Sequence, residues 1–198
     1  MKHLKKRPVA VLIALLVVIV SLLFGVNRSL GQQAAAMTEQ FYIGVLDQEA
    51  GFRRTSIHSL LDRRATGAVR ILSIGTHNFE HEDSLRGPEA ELREARETLR
   101  DLLEAGAPPR ALFRADQALT MALDRYYALL HPLMLEAQRE DLETLEAEYA
   151  AVLSATRAIT ESGYNEAVGA FNRMVWGRFP INVLRPIVFV QPPEMFAY

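Results

Sequence analysis

The chain has 198 residues, 49% of them apolar, with 22 Lys and Arg against 24 Asp and Glu and no cysteine. That length holds one domain of ordinary size plus an appendage, and the lack of cysteine excludes disulfide frameworks, thiolate metal sites and cysteine nucleophiles. All three lysines (Lys2, Lys5, Lys6) and Arg7 lie in the first seven residues, so the remainder carries 18 cations against 24 acids and does not suit nucleic acid as a partner.

Residues 1–7 form a basic N-terminus, and an uncharged apolar run, VAVLIALLVVIVSLLFGV, follows from Val9 to Val26. Adding Pro8 and extending towards Arg28, within a membrane segment bounded at 8–30, gives ~20 residues at ~1.5 Å each, about the ~30 Å of a bilayer core. A transmembrane helix is therefore expected. The alternative is a cleaved signal peptide, with Ser29-Leu30-Gly31 as the small-residue cleavage site. Retention is favoured because the run exceeds an ordinary signal core and the site lies well beyond it. Four cations precede the run and only Arg28 follows it before Arg53, which puts the N-terminus in the cytoplasm and the rest outside. In a Gram-negative cell that is the inner membrane, with the body in the periplasm.

Residues 31–36 read as a linker, and 37–177 as helices. Phe41, Val45, Gln48 and Phe52 step by four, three and four, and the stripe continues through Ile57, Leu61, Ala65, Ala68 and Leu72. It fades at His81-Glu82-Asp83. Gly87-Pro88-Glu89 reads as the next helix start, with Leu92, Ala95, Leu99 and Leu102 inside and Gly106 and Pro108-Pro109 ending it. A third helix carries Leu112, Ala115, Leu119, Ala122, Tyr126, Leu129 and Leu133, and Pro132 should end or kink it. The fourth carries Leu142, Leu145, Tyr149, Val152, Thr156 and Ile159, then Tyr164, Val168, Phe171 and Val175. Helices of ~46, ~18, ~22 and ~42 residues follow, two of them on the order of 65 Å long. The expected fold is all-α: the membrane helix, then an antiparallel four-helix bundle of two long and two shorter helices. The mismatch in length would leave apolar seams open near the membrane.

The last stretch, 178–198, contains Pro180, Pro186, Pro192 and Pro193, which exclude a regular helix. Its Phe179, Ile187, Val188, Phe189, Val190 and Phe196 are too apolar for a free linker. An extended tail is expected, packed along the bundle or lying on the membrane surface, where Trp176 and Tyr198 would also suit the headgroup region.

Tyr164-Asn165, Val168 and Phe171-Asn172, with Phe179-Pro180-Ile181-Asn182 and the ending Pro193-Glu194-Met195-Phe196, resemble the LemA family. Relatives carry YN-x-x-V-x-x-(Y/F)N on the last helix, a following (F/L)P-x-N, and an aromatic tail. Leu61-Asp62-Arg63-Arg64-Ala65 and His81-Glu82 match a double arginine on the first helix and a His-Glu near its end, and His131-Pro132 resembles a Tyr-Pro. The resemblance covers residues 37–198. Thr66-Gly67-Ala68-Val69-Arg70 replaces an Asp-Leu-Ile-Pro-Asn run, so the helix should run straighter there. Ser154-Ala155-Thr156 replaces Glu-Asn-Arg, and Ala197-Tyr198 stands where an acid is common, which makes this a divergent member. Membership implies a membrane-anchored antiparallel helical bundle, with no enzymatic activity established for the family in general.

His77-Asn78-Phe79-Glu80-His81 fits an H-x-x-E-H zinc-protease pattern. On one helix His77 and His81 would stand a turn apart, with Glu80 as base. The competing reading is a solvated helix end at the negative dipole terminus. Arg53-Arg54 and Arg63-Arg64 read as solvated helix flanks, or as contacts to anionic lipid. Glu140-Asp141, Glu143, Glu146 and Glu148 read as a solvated acidic face. Asn165 and Asn172, seven apart beside Tyr164 and Phe171, are expected to hydrogen-bond across helices or to the returning tail.

The functional expectation is a non-enzymatic membrane scaffold or adaptor without cofactor or metal. Its partners would be the bilayer and either a membrane or periplasmic protein or a second copy. A metal-dependent hydrolase at His77, Glu80 and His81, and a small-ligand sensor around Tyr164, Asn165 and Asn172, are the alternatives.

Overall fold

A computed structural model describes residues 6–47, 49, 51–137, 140–177, 181 and 187–197. Lys2, Lys5, Gln48, Phe179, Pro180, Asn182, Pro186 and Tyr198 lie outside the described residues, and the extended tail expected over 178–198 is corrected at Ile181, which is helical. The protein is mostly helical, with one long apolar helix near its N-terminus. It divides into two compact units, Met1–Thr38 with Val168–Pro193, and Glu39–Ala167 with Glu194–Tyr198.

In the first unit, helix α1 (Lys6–Ile43) runs unbroken through the residues expected to be a linker. Between Val11 and Phe24 its large apolar side chains are exposed almost all round, and the helix is long and apolar enough to cross a membrane. Further along, Leu30 and Ala34 are buried one turn apart. They pack with Phe171, Val175 and Trp176 of α6 (Tyr164–Trp176), flanked by Val26, Met37, Ile181, Val188 and Val190. Residues 31–36 read as a linker in the sequence, yet they lie within α1 and Ala34 among them is buried in this cluster.

The second unit corrects the expected first helix. The stripe from Phe41 to Phe52 does not lie on one helix. After Ile43 the chain turns at Gly44 (φ 86°), where a Cβ would fall onto the carbonyl of Arg54. A two-stranded antiparallel hairpin follows, β1 (Leu46–Asp47) against β2 (Phe52–Arg53), with Leu46 opposite Arg53. Helix α2 (Ile57–Asn78) then starts at Ser56, whose hydroxyl accepts from the Ser59 amide and replaces one bond the first turn lacks.

Helix α3 (Asp83–Glu104) begins before Gly87-Pro88, because Glu82 caps it by accepting from the Ser84 amide and hydroxyl. Pro88 is buried inside it. Gly106 (φ 63°) closes α3 as expected, and α4 (Pro109–Glu136) starts with proline at its first position. Pro132 does not end α4, which continues one turn beyond it. The single long last helix is also corrected: α5 (Leu142–Thr160) and α6 are separated by Gly163 (φ 75°), a backbone conformation other residues rarely adopt. The gap of five before Tyr164 in the apolar stripe is this break.

Helix α3 packs on α4 and α2 on α5, with α2 also touching α3 and α4. The core holds Leu61 and Ile71 of α2, Leu92 and Leu99 of α3, Leu112, Leu119, Leu123 and Tyr126 of α4, and Leu145 and Val152 of α5. With α2 of 22 residues, α3 of 22, α4 of 28 and α5 of 19, the four are of similar length. The two-long, two-short arrangement is thereby overturned, and with it the seams it would leave.

Helix α2 lies against α4 so closely at Gly75 that an added Cβ would meet the Tyr126 hydroxyl. Burial pushes that phenol up to about 12, and its oxygen has no hydrogen-bond partner among the described residues. In an open helix Gly→Ala gains about 1 kcal/mol. Here Gly75→Ala is expected to lose about 1–3 kcal/mol through overpacking. Chemical denaturation of the detergent-solubilised chain checks the sign.

Candidate functional site

The residues carrying the family resemblance fall into two groups. At the C-terminal end of the second unit, Tyr164 and Asn165 open α6 and face the segment Glu194–Phe196. The Asn165 carboxamide accepts from the Phe196 amide at 2.8 Å and donates to the Phe196 carbonyl at 3.0 Å. The side chain thus pairs with one residue's peptide groups as a neighbouring strand would. Tyr164 Oη donates to the Glu194 carbonyl at 2.8 Å. Burial pushes the Tyr164 phenol strongly upward, so it stays protonated and donating.

Phe196, 3% exposed, sits among Phe41, Phe113 and Tyr164. Its ring centroid is 5.8 Å from Phe41 and 5.2 Å from Phe113 in an edge-on contact, and Phe41 stands edge-on to Tyr164 at 5.5 Å. Such aromatic edges are favourable beyond their burial. Val168 and Phe171 are buried on α6, and in the first unit Asn172 donates to the Pro193 carbonyl at 3.1 Å. Both asparagines therefore bond the returning tail, one of the two arrangements expected. The Tyr164 hydroxyl and the Asn165 carboxamide are thus paired with the chain's own backbone, while Asn172 Oδ1 is buried with no hydrogen-bond partner among the described residues.

The double arginine separates. Arg63 is exposed on α2, whereas Arg64 is 1% exposed and pairs with Asp116 of α4, donating also to Thr120 Oγ1 at 2.6 Å. The expectation of two solvated flanks is corrected for Arg64. Burial pushes the Asp116 carboxyl up, and the adjacent guanidinium pulls it back down. Asp116 and Thr120 were not anticipated, yet the signal was there. Asp116 falls between Leu112 and Leu119 on the buried stripe, and Arg64 falls between Leu61 and Ala68, so two opposite charges occupy core positions of helices that pack together.

Arg54 is likewise engaged, bonding Asp47 at 2.9 Å and the Glu161 carbonyl at the end of α5 at 2.6 Å, where a cation meets the negative helix terminus. The acidic stretch is more than a solvated face. Asp141 accepts from Asn78, Glu146 lies 2.9 Å from His131, and Glu148 pairs with Arg70.

The H-x-x-E-H pattern loses its geometry. Helix α2 closes at Asn78, with Phe79 as its cap, so Glu80 and His81 belong to the turn before α3 and the two histidines are not one helical turn apart. Among the described residues no three His, Asp or Glu side chains gather as a metal site. His77 and Glu80 instead line an open groove of about 620 Å³ shared with Ser73, Thr76, Arg93, Arg96 and Glu97, so its walls carry both carboxylates and guanidiniums. Glu82, the other half of the His-Glu pair, is the α3 cap.

Comparison with family models, with curated proteins and with solved structures finds no match to this chain.

Asn165→Ala removes both bonds to Phe196. A loss of about 2 kcal/mol is expected, with faster hydrogen exchange at the Phe196 amide. For the charged pair, Arg64→Ala strands Asp116 and is expected to cost about 3–5 kcal/mol, while Arg64→Met combined with Asp116→Leu recovers most of that loss. Without the guanidinium, the folded carboxyl titrates above the unfolded value of about 3.9. Its stabilising protonation is complete below that value and is lost as pH rises through the folded one. The deficit of Arg64→Ala is therefore smaller at about pH 5 than at about pH 7, measured by denaturant unfolding at both.

Proposed function

We propose that this chain is a non-enzymatic, membrane-anchored helical scaffold of the LemA type, held in the bacterial inner membrane with its N-terminus cytoplasmic. Helices α2–α5 form an antiparallel four-helix bundle on the outer side, and the protein works by contact with other proteins or with a second copy.

One observation carries the reading of a retained anchor. Within the first unit the apolar helix continues from side chains exposed all round into Leu30 and Ala34, buried beneath Phe171, Val175 and Trp176. Cleavage after Gly31 would remove Val26, Asn27 and Leu30 and uncover that cluster. A leader destined for removal has no reason to be built into the core it leaves behind. The exposed apolar collar supports membrane insertion, since bilayer hydrocarbon is the medium that matches it. The basic residues before the run support the sidedness.

A contact surface for a protein partner is supported at the end of α1 and the hairpin. Tyr42, Ile43, Leu46 and Phe52 are all exposed there, in place of the seams that unequal helices would have left.

The membrane fraction should therefore contain the chain at its full mass, with residues 1–31 present by N-terminal sequencing. A mature species beginning near Gln32 would overturn the anchor. Crosslinking in native membranes is expected to trap a second copy or a partner, with lower yield for Leu46→Ser combined with Phe52→Ser. Monomers alone would overturn the scaffold.

A further inference from the structure

In the same compact unit as the apolar run of α1 lies a short segment, residues 187–190, whose side chains alternate between exposed and partly buried. Val188 and Val190 turn inward and pack with the Leu30, Ala34 and Trp176 cluster, Val190 lying against Gly31. Ile187 and Phe189 turn outward, and Phe189 is 87% exposed. An aromatic ring left that open on an otherwise anchored backbone needs an apolar neighbour.

Its position says which. Asn27 of α1 accepts from the Phe189 amide at 2.8 Å, and its Nδ2 donates to the Leu23 carbonyl at 3.0 Å. Asn27 is one residue past Val26, the last of the apolar run, and three past the exposed Phe24, about 4.5 Å along the helix axis. The segment is therefore pinned at the level where the apolar collar of α1 ends, in the same compact unit as that collar. Arg28 follows at once and is exposed, marking the change to a polar surrounding.

We propose that residues 187–190 form a second membrane contact, with Phe189 and Ile187 seated in the headgroup–acyl boundary beside the point where α1 leaves the bilayer. This rests on α1 being the span. Asn27 supplies what the site needs. A non-helical backbone cannot enter an apolar boundary with a bare amide, and the carboxamide satisfies the Phe189 N–H while leaving its ring free. An aromatic side chain suits this depth because it buries apolar area without reaching the bilayer centre. The valines on the other face hold the segment to the protein, so the outward pair is presented to lipid at a fixed depth.

The cysteine-free chain makes the test direct. Phe189→Cys and Val17→Cys are each labelled with bimane in the full-length protein and reconstituted in phosphatidylcholine–phosphatidylglycerol vesicles. Nitroxides carried near the headgroup or deep in the acyl chain then serve as lipid quenchers, and iodide as the aqueous one. The label at 17 is expected to be quenched by the deep nitroxide. The label at 189 is expected to be quenched by the shallow nitroxide and shielded from iodide, and to lose both properties in Asn27→Ala. If 17 is quenched and 189 answers only to iodide, the boundary contact is overturned and the span stands. If 17 is not quenched by lipid, the span itself fails and this contact with it. A label at 189 shielded from both quenchers marks a protein contact and overturns lipid as the occupant. Lipid quenching at 189 that persists unchanged in Asn27→Ala overturns the positioning role of Asn27.

Discussion

A segment that runs outside any helix must still find partners for its peptide groups, and in this protein asparagines supply them. Helices satisfy their own amides and carbonyls, but residues 188–197 lie outside any helix and cannot. A carboxamide has one face that donates and another that accepts, so it can stand in for a missing strand. Asn27 takes the Phe189 amide, Asn172 the Pro193 carbonyl, and Asn165 both peptide groups of Phe196. Each asparagine sits on a helix and is placed by that helix. The tail's path is thereby set by three side chains, with Val188, Val190 and Phe196 adding the burial that holds it.

The second unit uses charge differently. Arg64 and Asp116 occupy positions where apolar residues would pack at least as well, so their pairing is a poor source of stability. It does impose register. A slide of α2 along α4 by one turn would leave two buried charges apart, whereas an all-apolar seam would tolerate the slide. Along the α4–α5 contact the same is done with partly exposed groups: Tyr127 stacks on Tyr149 at 3.8 Å, and Tyr149 donates to Asp124. The close approach at Gly75 adds to the same α2–α4 seam, and the Asn78–Asp141 bond ties the end of α2 to the start of α5.

The helical character and the apolar leading helix were legible because both rest on long, regular patterns. The breaks were not. Phe41 to Phe52 keeps helical spacing by coincidence: Phe41 is buried in an aromatic nest and Phe52 is exposed on a strand, and only Gly44, which must approach Arg54, marks the turn. The gap of five before Tyr164 was visible, and its cause is a left-handed Gly163 that the spacing of apolar residues does not register. The two asparagines on α6 signalled a bond either across helices or to the tail, since a carboxamide on an apolar face must be satisfied somewhere, and spacing alone does not choose between them. Arg64 was hidden by its neighbour, because a pair of arginines reads as surface until the periodicity of each is followed separately.

The aromatic nest also dictates an order of assembly. Phe41, wholly enclosed in the finished protein, touches Tyr164 and Phe196, residues more than a hundred positions further along the chain. Neighbours such as α3 and α4 can find each other across a short turn as soon as both have been synthesised. Phe41 has no such option. Its partners Tyr164 and Phe196 are the last to be made, so the burial of this ring waits until nearly the whole chain has been synthesised.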